Sequence, residues 1–209
     1  MASYVLEAIR EGILEGRLPV GSRLNQEALA EELGASIIPV RESLRRLEAE
    51  GLVTITPRRG AYVAELSPSG LAEIYLMREA LEELAVRLAV AKLEPERLDA
   101  LARLNAELRT VPDDTGGRWE ALNRRWHDTL YEGAQAPLLL ELIGLLWDRS
   151  TLSRRVKMRD TALLAVAVED HDRILEACRA GDAETAAAEM RRHIQRAGYD
   201  AKAAAAPAA

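Results

Sequence analysis

The chain has no phenylalanine, one cysteine and three histidines in 209 residues. With three Trp and five Tyr as its only aromatics, it has to build its interior from Leu, Ala, Val and Ile, as helix-rich soluble proteins do. A lone Cys178 excludes an internal disulfide and suits a reducing compartment. No apolar run approaches the roughly 20 residues needed to cross a bilayer. The opening MASYVLEAIREG has neither the charged nor the apolar region of a signal peptide. The expectation is a cytoplasmic protein with no membrane partner. Positive charge is also in deficit. The net charge of −6, taken as a sum, argues against nucleic acid, because phosphate binding needs a basic surface. Its distribution argues differently. Residues 1–66 carry eight Lys/Arg against ten Asp/Glu, yet Arg41, Arg45, Arg46, Arg58 and Arg59 fall in one short window.

The pattern divides the chain in two. Val5, Ile9 and Ile13 recur every four positions, predicting a first helix over 4–14. LPVGSRL breaks it. Asn25 offers an N-cap to a second helix over 26–33, which Gly34 closes. Ser36 caps a third helix with Pro39 in its first turn, and Gly51 ends it. LVTIT and AYVAE, joined by PRRG, read as a hairpin. Three short helices and a hairpin over 1–66 describe a winged helix-turn-helix. Ser67 and Pro68 then start a long helix whose apolar stripe is Leu71, Ile74, Met77, Leu81, Leu84 and Leu88. Helical patterns continue to about residue 201 with no convincing strand, predicting an antiparallel bundle of about six helices over 67–201. The fold class is mostly α. The alanine-rich residues 202–209 read as a disordered tail.

At 100° per residue, Val40, Leu44 and Leu47 share the core face of the third helix, while Ile38, Arg41 and Arg45 lie opposite. Solvated arginines are the ordinary fate of such a pattern, but a solvated helix gains nothing from an exposed isoleucine. A groove-reading helix does: arginines contact phosphates or guanine edges, and isoleucine packs on a thymine methyl. Arg58 and Arg59 at the hairpin tip reach phosphate or the minor groove.

LPVGSRLNQEALAEELGASIIPVRESLRRLEAEGLVTITPRRGAYV resembles the N-terminal domain of the GntR family of bacterial transcription regulators over about 60 contiguous residues. The resemblance implies double-stranded operator DNA as partner. It assigns contacts to Ser36, Ile37, Ile38, Arg41, Arg45, Arg58, Arg59 and Gly60. The chain departs from the family at Ile37 and Ile38, where an arginine and a threonine are usual. An operator unlike that of relatives, bound less tightly, is therefore expected.

The three histidines, in LNRRWHDTL, VEDHDRILEA and EMRRHIQRA, each fall on an inward face. Singly, each reads as a hydrogen-bonded interior histidine, and no local spacing gives a metal motif. From about Leu71 to Ala197, however, the chain looks like the all-helical FCD domain of the FadR subgroup of GntR regulators. LMREALEELAVRLA, WHDTLYEGAQAPLLLELI and HDRILEACRAGDAETAAAEMRRHI carry the resemblance. It implies a divalent metal (zinc, nickel or manganese) at His127, His171 and His193. Asn123 stands where the family has aspartate. An amide oxygen coordinates more weakly than a carboxylate and brings no charge, which favours an anionic ligand completing the shell. The alternative is that Asn123 abolishes metal binding and the histidines grip a ligand directly. Arg78 matches a family arginine near this pocket and is expected to hold a carboxylate, with an i,i+4 pairing to Glu82 as the other reading.

The resemblance thus implies a homodimeric regulator, a repressor by expectation, controlled by a small organic acid. Two other readings stay open. One is a metal-dependent helical enzyme with a three-histidine site and Asp128, Asp170 or Asp172 as base. The other is a regulator without an effector.

Overall fold

Some helix starts rest on one capping side chain and others do not. The computed structural model describes residues 2–111, 117–154 and 161–205. Asn25 takes an extended backbone, and its side-chain oxygen accepts from the amides of Glu27 (2.9 Å) and Ala28 (3.2 Å), starting α2 over Gln26–Glu32. Ser36 stands at the N-cap of α3, Ile37–Ala49, but its hydroxyl makes no capping bond, so the expected side-chain cap is absent. Gly34 and Gly51, at φ 59° and 77°, adopt the left-handed conformation that ends the preceding helices. Both lie where the sequence pattern put a stop. Ser67 accepts from the Gly70 amide at 3.1 Å and starts α4, Pro68–Val90.

Val5, Ile9 and Ile13 of α1, Ala2–Leu14, meet Val40, Leu44 and Leu47 of α3 in one buried core with Leu24, Leu29 and Leu52. Each fully buried side chain of this size contributes about 1.5–3 kcal/mol. The apolar stripe alone therefore decides which face of α3 turns out. The predicted hairpin forms from β2, Val53–Thr56, and β3, Gly60–Val63, paired antiparallel with Ile55 opposite Ala61. A short strand unforeseen from the sequence, β1 over Arg23–Leu24, pairs with the other edge of β3 and makes the order β1-β3-β2. Two residues are too few to show strand alternation.

The helical region comprises α4, then α5 over Pro95–Arg109, α6 over Arg118–Tyr131 and a 3-10 turn over Glu132–Ala134. It continues with α7 over Pro137–Arg154, α8 over Thr161–Arg179 and α9 over Ala183–Ala205. The expected tail is helical through Ala205, because alanine is the strongest helix former. Residues 206–209 of that expectation lie outside the described residues. The chain divides into two compact units, Met1–Leu71 with Trp147–Val156, and Ala72–Leu146 with Lys157–Ala209. No helix among the described residues is long and apolar enough to cross a membrane.

The stripe expected to bury α4 needs correction. Leu71 and Ile74 are buried, but Met77, Leu84 and Leu88 are about two-fifths exposed, at 39%, 41% and 40%. The inner face is instead Tyr75, Arg78, Glu82, Ala85, Val86 and Ala89. Arg78 and Glu82 can enter because they neutralise one another there, a possibility that hydropathy does not register.

Candidate functional site

The face of α3 opposite the core carries Arg41 and Arg45, both exposed, and the two isoleucines, with Ile37 39% and Ile38 69% exposed. Ser36 is exposed beside them. The Ile55 amide donates to the Glu48 carboxylate at 3.0 Å, so the hairpin is tied to the C-terminal turn of α3, on the side that carries Arg41 and Arg45. At the tip, the Arg59 amide donates to the Thr56 carbonyl at 3.0 Å, closing a turn with Pro57 second and Arg58 third. Arg58 holds φ 63°, a conformation normally left to glycine, and Gly60 follows at φ 105°. The Tyr62 hydroxyl donates to the Arg59 carbonyl at 3.1 Å. Two exposed arginines are thus presented by a turn braced from its own strand.

In the helical domain, α6, α8 and α9 bring His127, His171 and His193 together, with ligand-capable atoms all within 4.8 Å of one another. His127 and His171 are fully inaccessible, and His193 is 7% exposed. Asn123, one turn before His127, is buried at 3%. Ring centroids lie 5.1 Å apart for His127 and His171, 5.2 Å for His127 and His193, and 5.0 Å for His171 and His193. Trp126 stacks on His171 at 3.9 Å with a 6° interplanar angle.

Each histidine has an oxygen at Nδ1. His127 meets the Tyr131 hydroxyl at 2.9 Å, His171 the Asn105 side-chain oxygen at 3.2 Å, and His193 the Asp170 carboxylate at 3.3 Å. Asn105 is oriented in turn, its amide nitrogen donating to Asp172 (2.5 Å) and to the Val168 carbonyl (3.3 Å). Such outer partners set the imidazole tautomer and leave Nε2 as the ligand atom. Burial pushes His171 well below its ordinary pKa, with the charge of His193 adding to the effect, so its imidazole is neutral at physiological pH. Burial would raise Asp170, but the hydrogen bond and charge of His193 outweigh it together with Arg196 and Arg173, so its carboxyl is held low. Asn123 Oδ1 and His171 Nε2 are buried and have no hydrogen-bond partner among the described residues. One amide oxygen and three imidazole nitrogens, donors that carry no charge when they coordinate, fit a divalent cation, the more so as Asn123 Oδ1 and His171 Nε2 are buried without a partner among the described residues.

Arg78 does not lie open to a pocket. It is 1% exposed and donates to Glu82 at 2.6 Å, and Glu82 accepts the Tyr131 hydroxyl at 2.5 Å. Burial and the charge of Glu82 raise the Tyr131 phenol well above its ordinary value, so it keeps its proton. Of the carboxylates weighed as bases, Asp170 serves His193, Asp172 pairs with Arg109 and Asn105, and Asp128 with Arg124. Asn105, Tyr131 and Glu82 were missed as site residues. One signal was present: Asn105 interrupts the apolar stripe Leu101, Leu104 and Leu108 of α5, and all four are buried. A cavity of about 340 Å³ is lined by Leu108, Trp119, Leu164 and Val168 with Arg109 and Glu169. On three helices its lining lies one turn from the centre: Trp119 from Asn123, Val168 from His171, and Leu108 from Asn105.

Cys178, on α8, takes no part in the centre. Burial pushes its thiol up to about 12, which leaves little thiolate at neutral pH. An alkylating reagent is expected to leave Cys178 unmodified in the folded protein and to label it fully in denaturant. Rapid native labelling, read by mass spectrometry, would show that this part of α8 opens.

A winged helix-turn-helix with exposed arginines on α3 and the wing, followed by an all-helical domain, is the architecture of a DNA-binding transcription regulator. Residues 1–63 match the bacterial regulatory proteins of the gntR family and residues 73–196 match the FCD domain, and the chain belongs to the GntR family. It is 34% identical over 174 residues to the HTH-type transcriptional regulator McbR of Escherichia coli K12, covering 81% of this chain and 78% of that protein. Against the HTH-type transcriptional repressor GlaR of the same organism, identity is 27% over 195 residues, 89% of each chain. The solved structure of E. coli McbR/YncC superposes with a TM-score of 0.83 at 30% identity, over 96% of both chains. These relatives are regulators, not enzymes.

Proposed function

We propose that the chain is a homodimeric repressor whose hold on operator DNA is controlled by a small carboxylate, bound with a divalent metal among Asn123, His127, His171 and His193. The observation that carries this reading is the shared state of the three histidines: each Nδ1 is engaged by an oxygen, and the ligand atoms converge in a buried cluster beside Asn123. When bound, a zinc, nickel or manganese ion supplies a Lewis acid that a carboxylate can chelate. The four donors are neutral. The carboxylates behind them are already matched by arginine, Glu82 by Arg78 and Asp170 by Arg196. Balancing the ion therefore falls to an anionic ligand. The cavity one turn away has the size of a small-molecule site, within the usual range of about 300–1,000 Å³.

In the DNA-binding domain, α3 enters the major groove with Ile37, Ile38, Arg41 and Arg45, and the wing brings Arg58 and Arg59 to the backbone or minor groove. The exposed stripe of Met77, Leu84 and Leu88 on α4, with Leu138 (68%) and Leu142 (43%) on α7, supports self-association. A dimer presents two reading helices to two half-sites. A 10- to 100-fold change in operator affinity needs a coupling of only about 1.4–2.8 kcal/mol between effector and DNA.

Elemental analysis of protein purified without tag or chelator is expected to find about one ion per chain. Absence of metal after incubation with each ion would overturn the metal part. Asn123→Asp is expected to tighten zinc binding about 10-fold by adding a charged ligand. The change is readable as a shifted titration of Trp126 fluorescence, since that indole stacks on His171. Unchanged affinity would remove Asn123 from the ligand set.

A further inference from the structure

We propose that Tyr131 is a positioning residue that holds His127 in the tautomer required of a metal ligand, and that the buried Arg78–Glu82 pair exists to anchor it. The metal half of this inference rests on the function proposed above. The tautomer half is a property of the chain alone.

The partners of the Tyr131 hydroxyl fix where its proton lies. A phenol hydroxyl has one proton to give and lone pairs to accept with. Around the Tyr131 oxygen lie Glu82 Oε2 at 2.5 Å, His127 Nδ1 at 2.9 Å and Met190 Sδ at 3.3 Å. Glu82 is bonded to the Arg78 guanidinium at 2.6 Å with both side chains out of solvent, so it is a carboxylate and only accepts. The shortest contact and the strongest acceptor coincide, and the thioether is a weak acceptor, so the hydroxyl proton goes to Glu82. What the oxygen offers His127 is then a lone pair, and the proton between them must be on Nδ1. Nε2 is left as the bare nitrogen.

The other two histidines also have layered supports, His171 through Asn105 and Asp172 to Arg109 and His193 through Asp170 to Arg196, but there the oxygen at Nδ1 can only accept. Asp170 accepts from His193 as a carboxylate. Asn105 accepts from His171 through its oxygen, because its amide nitrogen is committed to Asp172 and Val168. A tyrosine can give or accept, and left alone it could equally donate to His127 and place the proton on Nε2. Glu82 removes that freedom, and Arg78 keeps Glu82 ionised. Two charged side chains on the inner face of α4 thereby acquire a reason that packing does not supply. Arg78, which the family resemblance put against the effector, becomes a member of a chain that leads through Glu82 and Tyr131 to His127.

The test is the long-range proton–nitrogen spectrum of the ¹⁵N-labelled, metal-stripped full chain, with His127 identified by comparison with His127→Gln. Wild-type protein is expected to show His127 as a single Nδ1–H tautomer. Tyr131→Phe is expected to give a mixture or the Nε2–H form and to weaken zinc binding about 10- to 100-fold in competition with a chromophoric chelator. Met190→Leu removes a neighbour of the same hydroxyl with little change of volume, and should leave tautomer and affinity as they were. An Nε2–H tautomer in wild type overturns the proposal whether or not Tyr131→Phe folds. So does Tyr131→Phe with wild-type tautomer and affinity. The expected tautomer shift in a protein that binds no zinc would support the positioning role of Tyr131 and defeat the metal reading separately.

Discussion

Arg78→Met will destabilise the protein by about 3–5 kcal/mol, because it strands a carboxylate in the interior. Arg78 and Glu82 are 1% and 0% exposed and 2.6 Å apart, one turn from each other on α4. Methionine roughly replaces the arginine stem but not its charge. Glu82 then keeps the Tyr131 hydroxyl as a donor and loses its guanidinium partner. Arg78→Met combined with Glu82→Leu should recover most of the loss, since a buried pair exchanged for apolar groups of similar volume is near neutral. Urea titrations of the three proteins decide the matter. Wild-type stability in Arg78→Met would mean that the guanidinium is not committed to Glu82, and would return Arg78 to the pocket as a carboxylate clamp.

Arg41→Ala will weaken operator binding by about 1–3 kcal/mol, about 5- to 150-fold, without lowering the melting temperature. Arg41 is exposed on the face of α3 opposite Val40 and Leu44, so its removal opens no cavity. How the loss distributes over sequences identifies the contact. A phosphate contact weakens all sites alike and lowers the salt slope by about one, whereas a guanine contact relaxes preference at one position. Selection of bound sites from a random pool should recover thymines opposite Ile38, whose 69% exposure leaves it free to pack on a methyl group. Recovery of the usual family consensus would show that Ile37 and Ile38 do not read bases. Full operator affinity in Arg41→Ala would mean that α3 is not the reading helix.

The DNA-binding domain was legible because its signals are local. Asn25, Gly34 and Gly51 act within one turn of their own position, and the 3.6-residue repeat of Val40, Leu44 and Leu47 leaves α3 a single way to face. The strand β1 was not legible, since Arg23 and Leu24 are strand only through β3, nearly 40 residues on. In the helical domain, hydropathy misassigned α4: a stripe of Met77, Leu84 and Leu88 has the same periodicity whether it meets a core or a second copy of the chain. The resemblance to FCD domains named the histidines and Asn123, but it carried no information about Asn105 or Tyr131.

What the sequence by itself determined is the order and type of the helices, the outward face of α3 and the identity of the three histidines, because caps, glycines and apolar periodicity act through neighbours along the chain. Tertiary structure alone decided the rest. His127, His171 and His193 come from three helices, their oxygen partners from α5, α6 and α8, and the anchor of one partner from α4. A buried polar group is tolerable only when its partner is in place. That partner is chosen by packing between helices, so the protonation of each imidazole and the fate of Arg78 become readable only once the bundle is assembled.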